Sequence, residues 1–276
     1  MKKYIKKIIT LVGIITLSVC VLTGCGQKTG DDNGKKTIKV GASITPHSEI
    51  LEQAKLILAD QGVNLEIVQI EDTVTPNTAL VEGSLDANFF QHQPYLDDFN
   101  QENETDLVSV GAVHYEPFGI YAGRTKNLSE LPDGATVAIP NNVTNEARAL
   151  LLLQQEGLIK LKDGVDIRAT IRDIAENPKN LQFEEIAPEQ LVKALPDVEI
   201  AVINGNYAIE GGLNVKDALA IESDQGIAAK TYANILVVQK KDENNESIKK
   251  LIDVLQSDTI RNFIEEKYNG AVVPIK

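Results

Sequence analysis

From Thr37 onward, short apolar runs alternate with longer segments that carry a single apolar stripe. The runs TIKVGA, VNLEIVQI, DANFF, LVSVGAVHY, ATVAI, VEIAVI and ANILVVQ have strand length and strand composition. Between the first two lies TPHSEILEQAKLILADQG, where Ile50, Leu51, Ala54, Ile57 and Leu58 recur at helical spacing. Thr45 is the expected N-cap of that helix, Pro46 suits its first turn, and Gly62 can close it. NEARALLLLQQEG and PEQLVKAL read as further helices, and the tail holds two more, with stripes Ile248/Leu251/Ile252/Leu255 and Ile260/Phe263/Ile264/Tyr268. The alternation predicts an α/β protein with largely parallel sheets and no internal repeat. In such sheets ligand groups come from loops at the carboxyl ends of strands. His92 follows NFF, the segment from Asn141 to Asn145 follows VAIP, and Asn204 follows AVI. Asn234 instead opens its strand, as a chain crossing between lobes would place it.

The first residues follow another pattern. Lys2, Lys3, Lys6 and Lys7 precede an apolar run from Ile8 to about Leu22, which is shorter than the ~20 residues of a membrane-spanning helix. The run ends in LTGC, Leu22 to Cys25, which resembles a bacterial lipobox. Residues 1–24 then form a lipoprotein signal peptide, and Cys25 becomes the fatty-acylated start of the mature chain. An ordinary signal peptide with an incidental Cys is the alternative. Cys20 leaves with the signal and Cys25 carries lipid, so no disulfide and no catalytic or zinc-binding thiol is expected. The stretch GQKTGDDNGKK that follows, residues 26–36, has no apolar residue and reads as a flexible tether spanning roughly 20 Å. The rest is long enough for two modest lobes.

The formal net charge is −13, and removing residues 1–24 takes away four Lys and no acid, which brings it to −17. A polyanion of that size repels nucleic acid, so functions built on a basic patch are excluded. The enzyme motifs GxSxG, HExxH, Walker A and GxGxxG do not occur, and no enzyme is expected. The adjacent acids Asp97/Asp98 and Glu184/Glu185 read as solvated. Aromatic residues make up only 5% of the chain, yet LDANFFQHQPYLDDF, Leu85 to Phe99, groups Phe89, Phe90, His92, Tyr95 and Phe99. That is either a core strand running into a helix or a pocket for a small, partly apolar molecule. In AIPNNVTNEAR, Thr144 or Asn142 can cap a helix that places Arg148 in its first two turns. There a guanidinium can take a carboxylate through two parallel hydrogen bonds, helped by the field of the helix N-terminus. A surface ion pair is the other reading of Arg148. Asn145, Asn204 and Asn234 offer both donors and acceptors, as an amino-acid zwitterion needs, although each alone also reads as a cap or turn residue. His47, His92 and His114 are all the histidines. With a carboxylate such as Glu116 they give the alternative function, a zinc-binding solute-binding lipoprotein.

The blocks DANFFQHQPYL, HYEPFGIY, IPNNVTNEARALLLLQQEGLIKLKDG, NPKNLQFEEI, AVINGNYA, YANILVV and YNGAVVPI follow one another along the chain. Together with the lipobox they resemble the NlpA/MetQ family of substrate-binding lipoproteins, which serve methionine ABC importers. The resemblance implies a two-lobed, periplasmic-binding-protein-like (type II) fold with a ligand cleft between the lobes. Residues 37–118 and 234–276 would form lobe I and residues 119–233 lobe II, with crossings near EPFGIYAG and KTYANIL. It also implies a lipid-anchored monomer on the extracytoplasmic face of the cell membrane. Its partners would be an ABC permease and its ATPase, with no nucleic acid and no cofactor. The implied ligand is methionine or a close relative, such as D-methionine, a methionine derivative or a methionine-containing dipeptide. By matched motif, Arg148 clamps the ligand carboxylate with Asn145 nearby, and Asn204 and Asn234 bond its amino and carboxylate groups. Phe90, His92 and Tyr95 surround the thioether. His114 and Glu116 belong to the variable HYEP block, where Glu116 is placed to accept from the ligand ammonium. Many relatives carry Tyr in a DYVxPN pattern where this chain reads EDTVTPN, so Thr73 leaves room for a longer or differently shaped ligand.

Overall fold

A computed structural model describes residues 36–222 and 230–275. The signal segment 1–24, Cys25 and the tether up to residue 35 lie outside the described residues. No helix among the described residues is long and apolar enough to cross a membrane.

Two sheets organise the chain, each with helices on both faces. The first contains β1 (Lys36–Ala42), β2 (Val63–Gln69), β3 (Ala87–His92), β4 (Val108–Tyr115), β12 (Asn234–Val238) and β13 (Val273–Pro274). Their order across the sheet is β13-β4-β12-β3-β1-β2. The second contains β5 (Gly119–Ala122), β6 (Thr136–Pro140), β9 (Gln182–Ile186), β10 (Ile200–Ile203) and β11 (Ala220–Ile221), in the order β11-β5-β10-β6-β9. A short ribbon of β7 (Lys160–Leu161) and β8 (Ile174–Glu176) lies apart from them. The chain leaves the first sheet after Tyr115, enters the second at Gly119, and is back in the first at Asn234. This is the two-lobed fold expected from the sequence blocks.

The central strands read as unbroken apolar runs because both of their faces are covered. In β12, Leu236 and Val238 pack under α1 (Glu49–Asp60), α7 (Glu246–Leu255) and α8 (Asp258–Tyr268). Ile235 and Val237 face the opposite cluster, with Leu80 of α2 (Thr75–Val81) and Leu96 of α3 (Gln93–Asn103). In β10, Ile200 and Val202 pack with α4 (Val143–Gln155), while Ala201 and Ile203 pack with α5 (Leu191–Ala194) and α6 (Gly205–Glu210). Edge strand β2 alternates instead, with Val63 and Leu65 buried and Asn64 and Glu66 exposed. Capping residues fix the helix starts. Asn142 accepts from the Asn145 amide at the head of α4, and Asn245 accepts from Ser247 and Ile248 at the head of α7.

The structure corrects three local expectations. The sheets are mixed rather than largely parallel: β12 runs antiparallel to both β3 and β4, and β5 runs antiparallel to β10. A strand that returns from the other lobe takes its direction from that crossing and not from a βαβ connection. The first helix begins at Glu49, and Thr45 is extended (φ −127°, ψ 135°) and does not cap it. Its extended backbone is that of a cap, but its hydroxyl donates to Glu49 Oε1 at 3.2 Å instead of serving a helix amide. Segment PEQLVKAL splits into a 3₁₀ turn, Pro188–Gln190, and the single turn of α5.

Leu51 is fully buried in the α1–sheet cluster. Leu51→Ala should cost about 2–5 kcal/mol of stability, read as a lower urea midpoint with an unchanged denaturant slope.

Candidate functional site

A cavity lies between the two halves. Nine of the ten residues singled out for ligand contact line it: Thr73, Phe90, His92, Tyr95, Glu116, Asn145, Arg148, Asn204 and Asn234. His114 does not; it stands behind Glu116 and is fully buried. Gln91, Pro188, Gly205, Asn206 and Tyr207 complete the wall, and nothing in their sequence setting marks them out.

The aromatic wall follows from strand alternation along β3. Phe89 turns into the core against His47 and His114. Phe90 turns the other way, edge-on to Tyr95 with ring centroids 5.8 Å apart. The Tyr95 hydroxyl donates to the backbone oxygen of Thr73 at 2.8 Å, fastening α3 to the loop before α2. Beneath this wall Asn77, Asn88 and Gln91 are buried and joined amide to amide. That mesh satisfies polar groups which would otherwise be costly to bury.

The tautomer of His92 can be read from its bonds. Its Nδ1 accepts from the Tyr95 amide at 3.2 Å, so the proton sits on Nε2 and is donated to Asn145 Oδ1 at 3.2 Å. Asn145 Oδ1 also accepts from Asn204 Nδ2 at 2.9 Å, and Asn145 Nδ2 donates to Asn142 at 2.7 Å. Asn145 therefore orients its neighbours across the cleft. Because its amide is held this way, Asn204 has its donor engaged, while its Oδ1 is buried and has no partner among the described residues. An acceptor in that condition is costly unless something donates to it. Asn234 is held the opposite way round: its Oδ1 bonds His47 Nε2 at 3.0 Å, so its amide nitrogen is the group it offers.

Glu116 lies on the first crossing. Its Oε1 bonds His114 Nε2 at 2.7 Å and approaches His47 Nε2 at 3.5 Å. Burial raises its carboxyl pKa, against the lowering effect of His47 and Arg148. Gly205 allows α6 to rest on it, since a Cβ there would fall 2.8 Å from Glu116 Cβ. Burial also lowers all three histidines, His47 to about 4 and His92 and His114 to about 3.

The zinc alternative is not favoured. Among the described residues, the cluster with metal-ligand spacing is His47, His114 and Glu116, and His92 is not part of it. Both His92 nitrogens are already hydrogen-bonded, and His47 and His114 direct their Nε2 atoms at Asn234 and Glu116.

Arg148 is buried in the second turn of α4, inside a box of Tyr115, Phe118 and Tyr232 whose ring centroids lie 5.6, 4.9 and 4.3 Å from its guanidinium carbon. Its two-pronged edge is occupied. Nε donates to Glu222 Oε2 at 2.9 Å, and Nη2 donates to the same oxygen at 2.5 Å. Nη2 also donates to the Glu116 backbone oxygen at 2.9 Å. Burial would lower the guanidinium pKa, but the Glu222 carboxylate outweighs it and the net shift is upward. The Nε–Nη2 edge, the one suited to a ligand carboxylate, is thus taken by Glu222. Asp98, expected to be solvated, pairs with Arg168 across the cleft at 2.8 Å.

A two-lobed α/β fold with a polar, aromatic-walled cleft between its sheets defines a periplasmic-binding-protein-like molecule. The NlpA lipoprotein family model matches residues 38–276, and the chain belongs to that family. It is 45% identical over 260 residues to the methionine-binding lipoprotein MetQ of Bacillus subtilis, covering 92% of this chain and 94% of that one. It is 41% identical over 256 residues to the D-methionine-binding lipoprotein MetQ of Escherichia coli, covering 91% and 92%. Among solved structures, a nutrient binding protein from Burkholderia cenocepacia bound to methionine superposes with a TM-score of 0.83 at 42% identity, covering 87% of this chain and all of that one.

The three imidazoles should stay neutral in the folded protein, so their NMR resonances should not titrate between about pH 8 and about pH 5. The unfolded chain takes up these protons near 6.5, so through the histidines stability is lost as pH falls from 6.5 towards 4. Glu116, shifted upward, contributes in the opposite sense, which is why ring resonances rather than melting alone are the readout.

Proposed function

We propose that the cleft binds L-methionine or a close relative and delivers it to the permease of an ABC importer. The reading is of a binding protein and not an enzyme. One observation carries it: the same cavity presents a guanidinium, an unpartnered buried amide oxygen on Asn204 and the Glu116 carboxylate. That is the complement of a zwitterion. Arg148 Nη1 and the Asn234 amide take the ligand carboxylate, and Asn204 Oδ1 and Glu116 take its ammonium. Phe90, His92 and Tyr95 contact the thioether, where each sulfur–aromatic contact contributes about 0.3–1.5 kcal/mol. Thr73 sets the width of that end. The methionine-bound Burkholderia structure and the names of the relatives support the choice of ligand.

Residues 37–118 with 234–276 and residues 119–233 act as the two closing lobes. The ligand favours closure because only then does it touch both. Residues 1–24 are removed as a signal, Cys25 is acylated, and the tether lets a monomer reach its permease from the extracytoplasmic face of the membrane. Two acyl anchors or more make such attachment stable.

Mass spectrometry of ligand released from freshly purified protein should find methionine or a methionine derivative. Calorimetry with L- and D-methionine then sets stereochemical preference, and no binding by either, with no methionine-related molecule released, would overturn the reading. Arg148→Lys keeps a cation beside Glu222 but loses the planar fork, and should weaken methionine binding by about tenfold or more. Wild-type affinity in that variant would remove Arg148 from the carboxylate site.

A further inference from the structure

Glu222 is not part of the cavity wall, yet it makes more bonds to Arg148 than any other residue does. Its carboxylate is itself held: the Tyr115 hydroxyl donates to Oε2 at 2.7 Å and the Phe118 amide at 3.4 Å. Glu222 and Tyr232 come from the second crossing between the sheets, Glu116 and Phe118 come from the first, and Tyr115 ends β4 just before it. The bonds to Glu222 and to the Glu116 backbone oxygen account for the Nε hydrogen and both Nη2 hydrogens. The Nη1 hydrogens are the ones these bonds leave over, and Arg148 lines the cavity.

We propose that Glu222 is a positioning residue for ligand recognition: gripping the Nε–Nη2 edge of Arg148, it fixes the guanidinium so that Nη1 faces the carboxylate of an amino-acid ligand. This rests on the reading of the cleft as a methionine site with Arg148 at the carboxylate end. Two effects compete when Glu222 is neutralised. Loss of a negative charge strengthens the attraction of Arg148 for a carboxylate, whereas loss of the grip lets the guanidinium turn within its aromatic box. A neutral glutamine carbonyl at the Oε2 position is a weaker acceptor for Nε and Nη2, and its NH₂, at the Oε1 position, would oppose the Nε hydrogen. Orientation therefore dominates, and affinity falls.

The test is calorimetric titration of wild type, Glu222→Gln and Glu222→Asp with methionine and with methioninol, which keeps the ammonium and thioether but has no carboxylate. Glu222→Gln should lose about tenfold or more in methionine affinity while methioninol affinity changes less than about twofold. Glu222→Asp keeps the charge on a shorter arm and should show the same selective loss, smaller in size. If glutamine at 222 prevents folding, the aspartate variant is read by the same criterion. Unchanged or tighter methionine binding, or equal losses for both ligands, would overturn the assignment and leave the methionine site standing. If wild type binds neither ligand, the reading of the cleft falls and this inference falls with it.

Discussion

Burying one guanidinium is the constraint around which the site is built. Arg148 is 4% exposed, and a charge taken that far from water is tolerated only when it is paired and hydrogen-bonded. Glu222 supplies the opposite charge, the Glu116 carbonyl another acceptor, and three aromatic faces enclose the plane. These partners come from both crossings between the sheets, and α4 of the second lobe contributes the arginine. The residues that make the cation tolerable are thus the residues about which the lobes would turn. A movement of either crossing would shift the guanidinium, and a ligand that holds the guanidinium would in turn restrain the crossings.

The amides of the cleft show a complementary economy. An Asn can face a ligand with its oxygen or its nitrogen, and here the choice is made by neighbours held in one protonation state. His47, neutral because it is buried, bonds the Asn234 oxygen and so leaves that residue its nitrogen. His92, its Nδ1 occupied by the Tyr95 amide, donates to Asn145, whose oxygen then also receives the Asn204 nitrogen and leaves Asn204 with a bare oxygen. Donors and acceptors are therefore assigned before any ligand arrives, without adding charge to the walls.

Much of this architecture could be read from the chain because it depends on local pattern. The apolar runs of β10 and β12 announce strands, Thr144 or Asn142 marks the start of α4, and the blocks around Arg148 and His92 point to the cleft walls. What escaped depended on long-range placement. Glu222 is 74 positions from Arg148 and sits in AIESDQG, where nothing distinguishes it from a surface acid. Likewise, strand direction in the mixed sheets is decided by crossings that leave no periodic trace. Thr45 has the extended backbone of a cap, but its hydroxyl donates to the Glu49 side chain and the α-helix starts only at Glu49, which local pattern does not reveal.

The direct bonds joining the halves indicate what must drive closure. His92 reaches Asn145, the Tyr207 hydroxyl donates to the Glu71 backbone oxygen at 3.1 Å, and Arg168 meets Asp98 and Gln101 at the rim. Arg168 is half-exposed, and ion pairs of that kind contribute about 0–1 kcal/mol. The hydrogen bonds are few, and each replaces bonds to water, so each adds only about 0.5–1.5 kcal/mol. Such contacts hold the halves together only weakly. A molecule that bridges Arg148 and Asn204 on one side to Phe90, Tyr95 and Asn234 on the other needs only a modest difference in affinity between the open and closed forms to decide the balance. A cleft whose rim bonds were much stronger would stay shut without its ligand, and a binding protein that must load and unload cannot be built that way.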